Sequence, residues 1–260
     1  MWYEKLDYKV DIDRLRKEVV ENVFTLGKEK MQGEKYENEE YKGFGGYSLQ
    51  TLTGDWQDGW EVFHTGDKET TEVMFPNGGV NFKALKYLGV AHSFEHNKPT
   101  QACVGYIKEV LDDLEGMGFY PRRARVSCLK AHCKSTVHRD SNGEQYFVRI
   151  HIPIITNKKC THAAEGTTLH MPADGSVYIM WVNNWHQIRN DSNEDRYHII
   201  MDAWDTKGVT QQFKYGGDPD YLRREAEDFR KNVDEAVVTE QDIELFKKLE
   251  ANHMKNRYKI

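Results

Sequence analysis

Apolar positions recur every three or four residues near the N-terminus. Ile12, Leu15, Val19, Val23 and Leu26 share one face of a helix predicted over residues 11–26. The following stretch, GKEKMQGEKYENEEYKG at 27–43, is charged and weakly apolar and reads as a solvated surface loop. Residues 47–63 turn β-like, with YSLQTLT, then a GDWQDG turn, then WEVFH. A second helix is expected over 99–117. Pro99 stands near its start, Cys103, Ile107, Val110, Leu111 and Leu114 form its apolar stripe, and Gly116 and Gly118 end it.

From residue 124 to 204 the pattern changes to short strands: ARVSCLKA, YFVRIHIPI, GTTLHM, SVYIMWV and RYHIIMDAW. The clusters DSNGE, NKKCTH, PADG and NDSNED read as the turns between them. Short strands at this spacing predict a sandwich or barrel of the jelly-roll kind. The tail from Asp218 is helical again, with Pro219 at one start and Thr239 with Asp242 as a cap for another helix. The expected architecture is mainly β: a double-stranded β-helix (jelly-roll, cupin-like) core with flanking N- and C-terminal helices. Residues 1–215 would form one domain, with about 124–205 carrying its site. Residues 216–260 would form a helical extension.

Composition narrows the class. With 38% hydrophobic and 12% aromatic residues, the 260-residue chain can bury a real core. A formal charge of -6 argues against a general nucleic-acid binder. No apolar run reaches the ~18 residues of a membrane span. The first residues lack the apolar stretch of a signal peptide. Four cysteines in a chain of this length imply no disulfide framework, so a cytoplasmic location is expected.

The chemistry concentrates in HRD at 138–140. In an extended chain, side chains at i and i+2 point the same way, so His138 and Asp140 can converge on one cation. A neighbouring strand can bring His186, in NNWHQIRN, across as a third ligand. Two histidines and a carboxylate on one face leave open positions that suit non-haem Fe(II) chemistry with a bidentate co-substrate and O2. H-x-D alone is a weak signal. Arg196, ten residues beyond His186, strengthens it, because a dicarboxylate co-substrate needs a guanidinium fork for its far end. Arg149 and His151 alternate with Val148, Ile150 and Ile152, so both polar side chains share one face of a strand. Such a face is costly in an apolar core and makes sense lining a polar pocket.

The stretch from Ser127 to Trp204 resembles the aspartyl/asparaginyl β-hydroxylase-like branch of 2-oxoglutarate oxygenases, a branch that includes free-proline hydroxylases. The resemblance rests on Ser127 eleven residues before His138, on R-x-H at Arg149 and His151, and on H-x-x-x-N-x-S-x-x-D-R-x-H from His186 to His198. It implies that His138, Asp140 and His186 hold Fe(II), and that Arg196, assisted by Ser127, takes the distal carboxylate of 2-oxoglutarate. It also implies that Arg149 and His151 lie near the oxo-acid end, with no catalytic side chain beyond the metal ligands. The family usually has a Pro-Gly turn before the first histidine; here the residues are AHCKSTV. Asp140 likens the chain to the triad-bearing, proline-hydroxylase-like members and favours hydroxylation over halogenation. The substrate implied is an amino acid, free or in a peptide, with Trp185 and His198 as candidate contacts. Arg122 and Arg123 are further cations for its carboxylate.

Other readings compete. Arg149 can be a buried ion-pair partner of Asp140 or Asp202, and His151 and His198 can be core histidines. Trp181, Trp185 and Trp204 read most simply as core or rim aromatics. Cys128, His132, Cys133, Cys160 and His162 invite a zinc reading, but no C-x-x-C pair is present. A cupin-like metalloenzyme without 2-oxoglutarate would need the metal and not Arg196. A non-catalytic jelly-roll module would bind neither.

Overall fold

The computed structural model describes residues 2–27, 29–31, 43–57, 73, 76, 80–88, 95–138, 140, 147–210 and 219–248. The chain opens with an edge strand, β1 (Tyr3–Lys9), followed by α1 (Ile12–Glu18). The predicted first helix is present, but it changes pitch. After α1, a π turn spans Val19–Val23 and a 3-10 turn spans Phe24–Leu26. Leu15, Val19 and Val23 stay buried through these changes.

The short strands β2 (Lys30–Met31), β3 (Phe44–Ser48) and β4 (Gln50–Thr51) precede α2 (Phe82–Leu88) and β5 (Lys98–Pro99). The remainder of the predicted 27–43 loop, and the end of the 47–63 segment, lie outside the described residues. The second helix begins later than the sequence predicted. It is α3 (Gly105–Met117), and Pro99 belongs to β5. Its N-terminus forms where the backbone turns at Gly105, with φ +53°, and the Glu18 carboxylate accepts from the Tyr106 N–H at 2.6 Å. An anion at that end satisfies an otherwise orphaned donor and complements the helix dipole. Gly118 ends the helix in the left-handed conformation, as expected.

The jelly roll is built from β6 (Arg122–Leu129), β7 (Phe147–Ile155), β8 (Cys160–Ala164), β9 (Thr167–Leu169), β10 (Ser176–Met180), β11 (His186–Asn190) and β12 (Arg196–Trp204). The large sheet runs β1-β10-β7-β12-β6-β3-β2, the small one β11-β8-β9. Their pairings are antiparallel. The segment before His138 adds to the small sheet through isolated bridges, Lys134 to Arg189 and His138 to His186. One expected turn is a strand instead. Cys160, Thr161 and His162 of NKKCTH lie in β8, because their alternation places Cys160, His162 and Ala164 inward.

The two faces of the large sheet differ in chemistry. Val126, Ile150, Ile152, Ile199 and Met201 face outward and pack with Leu15, Ile107, Val110 and Leu114 of the helices. Each fully buried aliphatic side chain there contributes about 1.5–3 kcal/mol. The opposite face, toward the small sheet, carries Arg149, His151, Ser127, Arg196, His198 and Asp202. The tail forms α4 (Pro219–Glu235) and a helix at 240–248. Val233 and Phe246 pack on Ala84 and Leu85 of α2. Thr239 and Asp242 form the expected cap: the Thr239 N–H donates to Asp242 Oδ2 at 2.8 Å, and the Asp242 N–H donates to Thr239 Oγ1 at 3.3 Å.

Candidate metal centre

His138 and His186 meet as an antiparallel pair. The His138 N–H donates to the His186 carbonyl at 3.0 Å, and the His186 N–H returns to the His138 carbonyl at 2.8 Å. This exchange sets the two imidazoles side by side, with ring centroids 4.4 Å apart. Each Nδ1 lies 2.9 Å from a main-chain carbonyl two residues earlier, that of Thr136 for His138 and that of Asn184 for His186. A carbonyl only accepts, so each Nδ1 carries the proton and each Nε2 keeps a lone pair. Both Nε2 atoms face Asp140: His138 Nε2 is 3.6 Å from Oδ1 and His186 Nε2 is 3.4 Å from Oδ2. The Asp140 N–H donates to the Val182 carbonyl at 2.8 Å, which ties this ligand to the chain just beyond β10. The three sequence-predicted ligands therefore converge, with donor atoms within 4.8 Å of one another.

Burial alone would raise the Asp140 carboxyl. The Arg149 guanidinium beside it outweighs that and holds it well below the usual carboxylate range. The anion is thus available at any physiological pH. Arg149 also donates to Asp202 Oδ1, from Nη2 at 2.8 Å and Nε at 3.1 Å, while Arg123 Nη1 reaches Asp202 Oδ2 at 3.3 Å. Arg149 is therefore the ion-pair partner of both carboxylates named in the competing reading. Arg123 shares Asp202. Arg122 instead lies over the Tyr120 ring, 4.0 Å from Glu115. Asp202 was named from the sequence as one alternative partner, and strand register sets it opposite Arg149.

Behind the triad, Arg196 is 1% exposed. Its Nη1 lies 3.4 Å from His198 Nδ1, while Nε and Nη2 have no partner among the described residues. Burial pushes this guanidinium down to about 10. Asn190 and Ser192 of the H-x-x-x-N-x-S motif build the turn that aims it. Asn190 Nδ2 donates to the carbonyls of Leu129, Lys130 and Glu194 at 2.8–3.2 Å, and Asn190 Oδ1 accepts from Ser192 and Cys160. Ser127 is buried and stands opposite His198 in register. His198 accordingly sits at the Arg196 end of the chamber. His151 packs edge-on against His198 and against His162, a residue the sequence placed in a turn. Trp185 is 61% exposed at the rim beside His186, whereas Trp181 and Trp204 are core residues.

The zinc reading does not assemble. All four cysteines are free, and the other metal-capable group among the described residues is Glu29, Cys128 and Asp195. Lys130 already neutralises both of its carboxylates, and burial pushes the Cys128 thiol up to about 12, so the group offers no thiolate for zinc.

The donor set His138, Asp140 and His186 fits Fe(II): two neutral imidazoles and a carboxylate, no thiolate, and one side open to solvent through His138. The chamber fits a dicarboxylate, because it holds a buried guanidinium with two orphaned donor nitrogens. Among the described residues no helix is long and apolar enough to cross a membrane.

No curated protein matches the sequence. Solved structures with a distant likeness in shape include a Pseudomonas putida prolyl-4-hydroxylase, 9% identical at TM-score 0.39, covering 78% of this chain and 92% of that one. A Trichoplax adhaerens prolyl hydroxylase in complex with a hypoxia inducible factor peptide fragment is 14% identical at TM-score 0.39, with 80% and 85% covered. The collagen prolyl hydroxylase of Paramecium Bursaria Chlorella virus-1 is 10% identical at TM-score 0.37, with 78% and 96% covered. The family model described as aspartyl/asparaginyl beta-hydroxylase matches residues 12–206, which includes the jelly roll and each ligand of the triad. By that match the chain belongs to the aspartyl/asparaginyl β-hydroxylase family.

Proposed function

We propose that this protein is an Fe(II)- and 2-oxoglutarate-dependent dioxygenase that hydroxylates an unactivated C–H bond of an amino acid, free or in a peptide. The observation that carries the reading is Arg196, a buried cation with unpartnered donors in the same chamber as the triad. Burying a charge without a partner is strongly unfavourable, so such a site is built to receive an anion. A metalloenzyme that used no dicarboxylate would have no need of it.

With iron, 2-oxoglutarate and O2 bound, oxidative decarboxylation of the co-substrate supplies the oxidant and leaves succinate and CO2. The chain's own groups bind and orient. His138, Asp140 and His186 hold the metal, and the two Nδ1–H to carbonyl hydrogen bonds fix both rings with Nε2 toward it. Arg149, braced on Asp202, keeps Asp140 ionised and in place. Arg196, with Ser127 beside it across the strands, takes the distal carboxylate. His151 lies nearer the metal end of the same face. Substrate enters from the side where His138 is exposed and Trp185 forms the rim. The test is succinate release from 2-oxoglutarate by the Fe(II)-loaded protein, coupled to a screen of free amino acids and then peptides. Release that Arg196→Ala abolishes supports the reading, whereas release that Arg196→Ala leaves intact refutes it.

A further inference from the structure

Between the two sheets lie buried nitrogens without hydrogen-bond partners among the described residues, and they come from both walls. Arg196 Nε and Nη2, His198 Nε2 and His151 Nδ1 belong to the large sheet, and His162 Nε2 belongs to the small one. His162 is 2% exposed. Its ring stacks on His198 at 24° with centroids 5.9 Å apart, and meets His151 edge-on at 5.2 Å. In register it faces Ile188, two residues from His186 on β11. It also feels the charge of Arg196. His162 therefore stands between the buried guanidinium and the metal ligand.

A structural histidine in a core satisfies its ring nitrogens. His138, His186 and His170 each bond a main-chain carbonyl through Nδ1. His162 Nε2 has no such partner among the described residues, and an unsatisfied buried polar atom is destabilising. Burial, with Arg196 nearby, keeps the imidazoles of His162 and His198 neutral. Neutral rings still donate. Arg196 Nη1 can only donate, so His198 Nδ1 must be the acceptor and His198 carries its proton on Nε2, toward the chamber. An anion in the chamber selects the same tautomer for His162.

We propose that His162 is a specificity-determining residue whose Nε2–H donates to the far carboxylate of the co-substrate, opposite Arg196, so that the two sheets grip one anion. This rests on the 2-oxoglutarate reading above. It adds that the length of the co-substrate is selected by both walls and not by Arg196 alone.

The test compares 2-oxoglutarate with 2-oxopentanoate, the same chain without the distal carboxylate, by calorimetry on the Zn(II)-loaded protein. His162→Leu is expected to weaken 2-oxoglutarate about tenfold, the loss of one hydrogen bond to a charged group, and to leave 2-oxopentanoate unchanged. His162→Gln, which retains a donor, should recover most of the loss. Equal weakening of both ligands would mean a structural role, and no weakening of either would mean no role; each overturns the proposal. Should His162→Leu fail to fold, the ring N–H resonance of His162 in the 15N-labelled Zn(II) protein decides. It should move downfield with 2-oxoglutarate and not with 2-oxopentanoate, and an unmoved signal overturns the proposal. If the unaltered protein does not prefer 2-oxoglutarate, the co-substrate reading fails and this proposal falls with it. If the preference holds but His162→Leu retains it, only the proposal fails.

Discussion

Arg149 and Asp202 face each other across β7 and β12, with the guanidinium reaching one carboxylate oxygen through both Nη2 and Nε. The same guanidinium reaches on to Asp140. Asp202 is almost fully buried, so this brace holds the candidate metal ligand Asp140 from inside the sheet.

Loss of the brace should therefore be felt at the metal. Asp202→Asn leaves Arg149 and Arg123 without their shared carboxylate. Co(II) affinity is expected to fall about 10–100-fold, as for other groups that orient metal ligands. Stability should fall by about 3–5 kcal/mol, the cost of breaking a buried pair by removing one member. A Co(II) absorption titration of the variant that matched the unaltered protein would remove Arg149 from any control of Asp140.

Arg196 predicts a trade between stability and ligand binding. Arg196→Met removes a buried charge that has no carboxylate partner among the described residues. The metal-free variant should gain on the order of a few kcal/mol against urea while losing 2-oxoglutarate affinity. A variant no more stable than its parent would mean that the guanidinium is already compensated.

The histidines of the chamber set a pH dependence. Burial holds the native pKa values of His151, His162 and His198 well below the ordinary 6.5. The unfolded chain then binds more protons than the native one, and stability drops as pH falls through about 6.5. Each group contributes a slope of up to about 1.4 kcal/mol per pH unit, so three give about 4 kcal/mol per unit near pH 5. Urea unfolding of the metal-free protein at pH 7.5 and pH 5.5 measures this. A flat profile would show that these rings are hydrated and titrate normally.

Asn190 bonds three carbonyls around the turn into β12 and is fully buried. Asn190→Ala removes these bonds, although the Lys130 and Glu194 carbonyls keep the Cys133 N–H and the Ser192 hydroxyl, and should cost about 1–2 kcal/mol of stability. Because the turn aims Arg196, 2-oxoglutarate binding should weaken in the variant even where it remains folded. Calorimetry showing full affinity would separate the turn from the aim of Arg196.

The legible parts of this fold are those governed by local pattern. Arg149 and His151 among valine and isoleucine announced a strand with one polar face. His138 and Asp140, two apart, announced a shared cation. What was not legible depends on chain pairing. Cys160, Thr161 and His162 follow two lysines and read as a turn until β11 and β9 take up the hydrogen bonds of their strand. His162 was hidden with that strand. β1 is as charged as a loop because it lies at a sheet edge. The start of α3 was misplaced because Pro99 mimics a helix opening, whereas the capping anion, Glu18, arrives from another helix. Asp140 and Asp202 read as alternative partners of Arg149, and only strand register shows that the one guanidinium serves both.

The larger apolar cluster of this protein lies between the helices and the outer face of the large sheet, and a smaller one of Ala164, Met171, Tyr178 and Met180 lies toward the small sheet. The two jobs of the chain thus fall on opposite faces of the same strands. Along β12, Ile199 and Met201 serve cohesion while Arg196, His198 and Asp202 serve the chamber. An inward residue of β12 outside the Arg149–Asp202 ion pair can be exchanged for a different shape or polarity without opening a void beneath the helices. Ligand preference in such a molecule can drift by single substitutions while the folding unit stays intact. A library at Arg196 and His198 should consequently yield a larger folded fraction than an equal one at Ile199 and Met201.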